Sequence, residues 1–232
     1  MSLVNFGLWA VVPVKDIENA KQRLAYVLKP HERQQLFRIM LEDVFTALAE
    51  VDQLAGVMVV TGDAWAIEFA EKYGFQVMFE TENLGHTHAV MTTARKLAEQ
   101  GVSGMLTLPG DVPLVTSDEI VKIIRAHRDT PAFTIVPARD KLGSNAIACS
   151  PPDIMVLRFG DNSFYPHLET ARRTGIEPQV LELPGLALDI DRPDDLEEFL
   201  KTPSITKTYR YLIDNGIDQR LASMDLANRQ QN

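Results

Sequence analysis

Met105-Leu106-Thr107-Leu108-Pro109-Gly110-Asp111-Val112-Pro113-Leu114 carries the most apolar short run of the chain into an acidic loop. A run of that length closed by a turn signal fits a buried strand, and a carboxylate just past its end falls where open α/β sheets take their ligands. Pro109 and Pro113 narrow the backbone choices on either side of Asp111. Asp111 therefore either takes part in metal or ligand chemistry or caps the helix that begins near Ser117.

Outward from that strand, apolar runs alternate with amphipathic stretches. Residues 6–14 read as a strand buried on both sides, and further strands are expected at 56–60, 75–79 and 133–137. Helical patterns occupy 17–28, 32–48, 64–72, 88–99 and 117–127. In the second of these, Leu36, Met40, Val44 and Leu48 recur every fourth residue while Phe37, Leu41 and Phe45 widen the stripe. Strand and helix alternating at this spacing predict an α/β fold of Rossmann-like type, a mostly parallel central sheet covered by helices on both faces.

The rhythm changes after Ala138. Short runs at 146–149 and 155–159, interrupted by Pro151, Pro152 and Gly160, predict either a small antiparallel addition or a flap over the sheet. A helix at 165–174, a strand at 179–183 and helices at 194–200 and 205–213 follow, with a frayed end at 228–232. The expected organisation is one domain through residue 203 and a helical tail over 204–232, with no repeat or linker between.

Composition limits the partners. The chain has 232 residues and a net charge of −9, so a broad basic face for nucleic acid is not expected, although a small anion is still compatible with local basic groups or a bound cation. The single cysteine, Cys149, excludes an internal disulfide and a multi-cysteine zinc site and reads as a small hydrophobe. Apolar stretches are strand-sized and broken by Pro or charge, so no membrane span is expected. No basic residue precedes Lys15 and no cleavage signal stands out, which predicts a cytoplasmic protein.

Two other clusters bear chemistry. In Asp189-Ile190-Asp191 an extended backbone turns both carboxylates to one side, with Ile190 behind them. Such a pair needs a proton or a cation between its members, and oxygen-only ligands suit Mg²⁺. The alternative is that Asp191 or Asp194 caps the helix after Arg192-Pro193. With Asp111 the pair makes a candidate three-carboxylate site. Lys15, Lys21 and Arg23 follow the first strand, where they either hold a polyphosphate or form a solvated face. Neither a Walker loop nor a dinucleotide glycine fingerprint is present. The histidines His31, His86, His88, His127 and His167 form no zinc pattern and read first as structural, His127 on a solvated helix end.

The ordered fragments resemble the 2-phospho-lactate guanylyltransferase family, which includes the phosphoenolpyruvate and 3-phosphoglycerate guanylyltransferases of deazaflavin-coenzyme biosynthesis. The likeness runs through Val12-Pro13-Val14-Lys15, Ala20-Lys21-Gln22-Arg23-Leu24, Met40-Leu41-Glu42-Asp43-Val44 and the Asp111 loop. It continues in Gly143-Ser144-Asn145-Ala146, Phe159-Gly160-Asp161-Asn162-Ser163-Phe164 and Asp189-Ile190-Asp191-Arg192-Pro193-Asp194-Asp195-Leu196.

The resemblance implies a nucleotide-diphospho-sugar transferase-like fold and Mg²⁺-dependent transfer of GMP from GTP to a small phosphorylated acid. Carried over residue by residue, Asp111, Asp189 and Asp191 would hold divalent ions. Lys15, Lys21 and Arg23 would face the triphosphate, with Asp111, Lys21 and Arg23 at the chemistry. Gly85 would lie by the nucleotide, and Ser144, Gly160 and Ser163 would bind the acid. Two departures stand out. Gly85-His86-Thr87 replaces the family's Gly-Leu-Asn, and the stretch from Pro137 to Gly143 lacks its Gly-Thr-Gly-Thr run. The alternatives are a relative acting on a molybdopterin or sugar phosphate, a glycosyltransferase of similar architecture, and a non-catalytic scaffold. A homodimer through the tail stays open. Arg220 is taken as an exposed position distant from the site.

Overall fold

Strand residues that are apolar on both faces bury on both faces. In β1 (Leu8–Pro13), Ala10 and Val12 enter one core while Val11 enters the other. β2 (Gly56–Thr61) and β4 (Gly104–Thr107) do the same, Val59 and Leu106 facing one way, Met58 and Met105 the other. The structure, a computed structural model, describes residues 7–15, 17–82 and 84–229. The remaining strands are β3 (Gln76–Phe79), β5 (Ala132–Pro137), β6 (Ser144–Ser150) and β7 (Gln179–Val180). They join one seven-stranded sheet in the order β3-β2-β1-β4-β6-β5-β7.

Among the described strands only β6 runs against its neighbours, β4 and β5. The antiparallel addition is thus an inner strand of the sheet rather than a flap. The pairing slips between Val136 and Pro137, which face Ala146 and Ser144, so Asn145 is an extra, bulged residue. A bulge of this kind re-aims side chains locally.

One face of the sheet is covered by α1 (Pro30–Ala49), α2 (Ala64–Lys72) and α4 (Ser117–Ala126), the other by α3 (His86–Glu99) and α5 (Phe164–Arg173). A single turn, α6 (Pro184–Ala187), precedes α7 (Pro193–Leu200), and α8 (Lys207–Asp214) and α9 (Ile217–Arg229) end the chain. Leu212, Ile217 and Leu221 share the core of α1, so α8 and the first turns of α9 pack against the body of the fold. Asp43 of α1 receives the Lys207 and Thr208 backbone N–H groups, each at 2.9 Å, and caps α8 from outside.

Several expectations need correction. Residues 17–28 form two short 3-10 turns, Ile17–Asn19 and Gln22–Leu24, because Lys21 between them adopts a left-handed φ of 56°. The run at 155–159 takes no regular structure. The strand expected at 179–183 stops at Val180, since Leu183 and Pro184 lead into α6. Helix α9 lies within the helical tail expected over 204–232, beyond the one helix placed there at 205–213. Arg220 is no neutral surface position: its guanidinium grips both Glu32 oxygens at 2.9 and 3.0 Å. Phe6 and the end beyond Arg229 lie outside the described residues. Among the described residues no helix is long and apolar enough to cross a membrane.

Candidate active site

Asp111 follows β4, and its loop is fixed by neighbours on both sides. The N–H of Ile190 donates to the Asp111 carbonyl at 3.0 Å, which lays the Asp189–Asp191 segment alongside it. Ile190 is fully buried while Asp189 and Asp191 face the same cleft as Asp111, as the two-residue period requires. The segment is held from below by Asn145, whose Nδ2 donates to the Leu186 and Ala187 carbonyls at 2.9 and 3.1 Å and to Asp189 Oδ1 at 3.0 Å. Glu119 of α4 adds a clamp, accepting the Gly185 N–H at 2.8 Å. A Cβ at Gly185 would overlap the Leu114 carbonyl oxygen, so only glycine fits this approach.

Lys21 lies among these carboxylates. Its Nζ is 2.5 Å from Asp111 Oδ2 and 3.3 Å from Asp191 Oδ1, with the side chain 5% exposed. The left-handed turn at Lys21 delivers the side chain inward. Burial opposes the charge on Lys21, but Asp111 and then Asp191 outweigh it and hold the ammonium above the ordinary lysine range. Burial would raise Asp191 too, yet Lys21 and then Arg23 keep it below the usual carboxylate range. Arg23 Nη1 binds Asp191 Oδ2 at 2.8 Å and stays half-exposed at the mouth. Asp189 goes the other way, its carboxyl pushed up by burial and by the Asp111 charge.

Neither capping alternative describes these residues. Thr116 caps α4, accepting from the Glu119 N–H, and Asp195 accepts from the Asp191 and Arg192 N–H groups ahead of α7. Asp111 Oδ1 is buried and has no partner among the described residues. Among the described residues no three His, Cys, Asp or Glu side chains stand ready-made for a metal ion. The donor set nevertheless fits a hard cation: carboxylate oxygens only, one of them orphaned, and Asp189 short of positive charge. Lys21 bonds directly to the other two and reaches Asp189 only as a more distant charge.

The cleft has a volume of about 680 Å³ and extends from this cluster to β6 and the start of α5. Ser144, Gly160 and Ser163 line its far end, with Ser163 Oγ donating to Ser144 Oγ at 3.1 Å. Arg23, Asp111, Asp189 and Asp191 line the near end. Gly85 precedes α3 with φ of 95°, a conformation that favours glycine. His86 lines the cleft beside it, its edge against Phe159 with ring centres 4.6 Å apart. Burial pushes the His86 imidazole down to about 4, Asp111 resisting and Lys15 assisting. Thr87 Oγ1 accepts the Phe159 N–H at 3.0 Å, so the departing pair His86-Thr87 clasps the Gly160 loop.

Other expectations shift. Lys15 pairs with Glu80 at 3.4 Å. Arg139 pairs with Asp195 and Glu198, and Lys141 with Glu182 on the surface. His127 is not solvated; its two nitrogens bond Thr134 and Ser150, both at 2.9 Å. Cys149 is buried, and burial pushes its thiol up. Sequence reasoning gave no role to Asn145 or Glu119. Asn145 stands within the quoted Gly143–Ala146 fragment, a signal that was available, whereas Glu119 looked like any residue of a polar helix face.

Comparison with known proteins shows the fold and the family. The fold matches a protein of Desulfovibrio desulfuricans G20 assigned as a nucleotide-diphospho-sugar transferase, with a TM-score of 0.76 over 93% of this chain and 96% of that one at 21% identity. A phosphoenolpyruvate guanylyltransferase of Rubrobacter xylanophilus is 35% identical over 190 residues, 82% of this chain and 92% of that protein. A 3-phospho-D-glycerate guanylyltransferase of Colwellia psychrerythraea is 33% identical over 187 residues, 81% of this chain and 88% of that protein. Residues 8–229, almost the whole chain, match the family described as Guanylyl transferase CofC like. The acidic cluster, its buried lysine and the serine-lined end of the cleft are therefore features of a chain that belongs to the CofC-like guanylyl transferase family.

Proposed function

We propose that this protein transfers GMP from GTP to a small phosphorylated three-carbon acid, releasing pyrophosphate, in deazaflavin-coenzyme biosynthesis. One observation carries the reading. A single cleft joins Arg23 and the carboxylates Asp111, Asp189 and Asp191, with Lys21 buried against Asp111 and Asp191, to a hydroxyl-rich end at Ser144 and Ser163. The two ends suit a triphosphate and an anionic acceptor respectively.

A phosphate oxygen of the acid attacks the α-phosphorus of GTP, and the bond from that phosphorus to the bridging oxygen breaks as pyrophosphate leaves. The nucleophile is already an anion, its second pKa being about 6, so no general base is required. His86 and His167, with imidazoles pushed down to about 4 by burial, are correspondingly weak bases. Lys21 and Arg23 neutralise charge on the phosphates and the departing pyrophosphate. Gly160 lets the backbone approach the acid. Asp111, Asp189 and Asp191 would hold Mg²⁺, which when bound offsets phosphate charge and orients the oxygens.

Incubation with GTP, ATP or CTP and each of phosphoenolpyruvate, 2-phospho-L-lactate and 3-phospho-D-glycerate, with product masses recorded, tests this. A guanylylated acid formed with pyrophosphate, and lost on chelation of Mg²⁺, is the expected result. Transfer to a sugar phosphate or pterin instead overturns the acceptor.

A further inference from the structure

The far end of the cleft contains a run of hydrogen bonds that the transfer chemistry leaves without a role. His167 of α5 is 2% exposed. Its Nε2 accepts the Arg158 backbone N–H at 3.0 Å, so that nitrogen carries no proton. Burial keeps the ring neutral, and a neutral imidazole with a bare Nε2 has its proton on Nδ1. Nδ1 is 3.0 Å from Ser144 Oγ, and with the proton there it donates. Ser163 Oγ donates to the same oxygen at 3.1 Å. A serine oxygen has two lone pairs and one proton. With both lone pairs of Ser144 engaged, its proton is left to turn toward the cleft, which Ser144 lines. The Phe159 ring meets His167 edge-on, centres 5.4 Å apart, and braces the imidazole.

We propose that His167 is a positioning residue which, by donating from Nδ1 to Ser144, commits the Ser144 hydroxyl to donate its own hydrogen bond to an oxyanion of the acceptor. The inference rests on the acceptor reading above and adds to it a named source of preference for an anion. An unconstrained serine hydroxyl can present either its proton or its lone pairs; this one presents only the proton. Asparagine at 167 sets an amide N–H near the place of Nδ1–H. Glutamine reaches the place of Nε2 with its carbonyl, serving the Arg158 amide and leaving Ser144 without its donor.

The test compares wild type with His167→Asn, His167→Gln, Ser144→Ala and the double variant Ser144→Ala/His167→Gln. Kinetics use GTP and the best of the three acids, with an imidazole ¹⁵N spectrum of the wild type and thermal midpoints for all. His167→Gln should raise KM for the acid about tenfold with KM for GTP unchanged, the size of a lost hydrogen bond to a charged group. His167→Asn should restore most of that loss, and the double variant should be no worse than Ser144→Ala. The spectrum should show an Nδ1–H tautomer for His167. An Nε2–H tautomer overturns the inference alone, whatever the kinetics. Equal losses in the two His167 variants, or losses additive with Ser144→Ala, overturn it too and return His167 to the core. If the wild type uses none of the acids, the acceptor reading fails, and the role for the hydroxyl fails with it.

Discussion

At Asp111 charge can be separated from shape. Asp111→Asn keeps the side-chain volume but removes the charge that Lys21 holds at 2.5 Å, so turnover should drop by about a hundredfold or more. Thermal melting should move little, because Asp191 still pairs with Lys21. A variant that melts normally and turns over normally would remove Asp111 from the chemistry. Arg23→Ala should raise KM for GTP well above the effect of Arg173→Ala, whose surface partner Glu169 is exposed; comparable values would return Arg23 to the solvated face. Glu32 offers a pH signature away from the site. The hydrogen bonds from Arg220 lower its carboxyl from 4.5 to about 2 in the folded chain. Because the folded value lies below the unfolded one, the stabilisation is complete above pH 4.5 and fades as the pH falls toward 2. The gap in urea midpoint between wild type and Glu32→Gln should therefore be constant from pH 8 to about 5 and close below that; a gap that persists into acid would mean the loss comes from packing.

Among the elements, those with strong periodicity were legible in the sequence and those shaped by single long-range bonds were not. Helix 64–72 was read to the residue because Asp63 caps it and Gly74 ends it locally. The Asp189–Asp191 pair and its shared side followed from the strand period, and the Asp111 loop from the strand before it. The stretch 17–28 was misread because a left-handed residue at a non-glycine, Lys21, is stabilised by carboxylates 90 and 170 positions away, which no local pattern records. The bulge at Asn145 and the clamp from Glu119 to α6 are hidden for the same reason. That clamp can be tested. Gly185→Ala pushes a methyl group onto the Leu114 carbonyl and the Glu119 carboxylate. The α6 turn must shift, costing roughly 1–3 kcal/mol and lowering turnover together with stability. A variant with wild-type midpoint and rate would show that the Asp189 segment tolerates movement.

For the molecule as a whole, the Met40–Val44 fragment takes on a meaning that its family likeness did not supply. Glu42 binds Lys207, and Asp43 caps α8, so this part of α1 serves the chain end rather than the cleft. The reversed strand β6 has a different kind of consequence. Running backwards, it brings its first residues, Ser144 and Asn145, to the same edge as the last residues of β1 and β4. Ser144, Gly160 and Ser163 at the far end of the cleft then fall in one uninterrupted interval, from the β5–β6 turn to the start of α5, while His86, Asp111, Asp189 and Asp191 of the same cleft come from outside it. The serines proposed for the acceptor are thus contiguous in the gene, but Asn145 in the same stretch also anchors the Asp189 segment, so a change there must keep that amide as well as the fit of Phe159 with His86 and Thr87. On the proposed reading, diversity of acceptors within such a lineage needs changes in one short interval of the chain rather than throughout it.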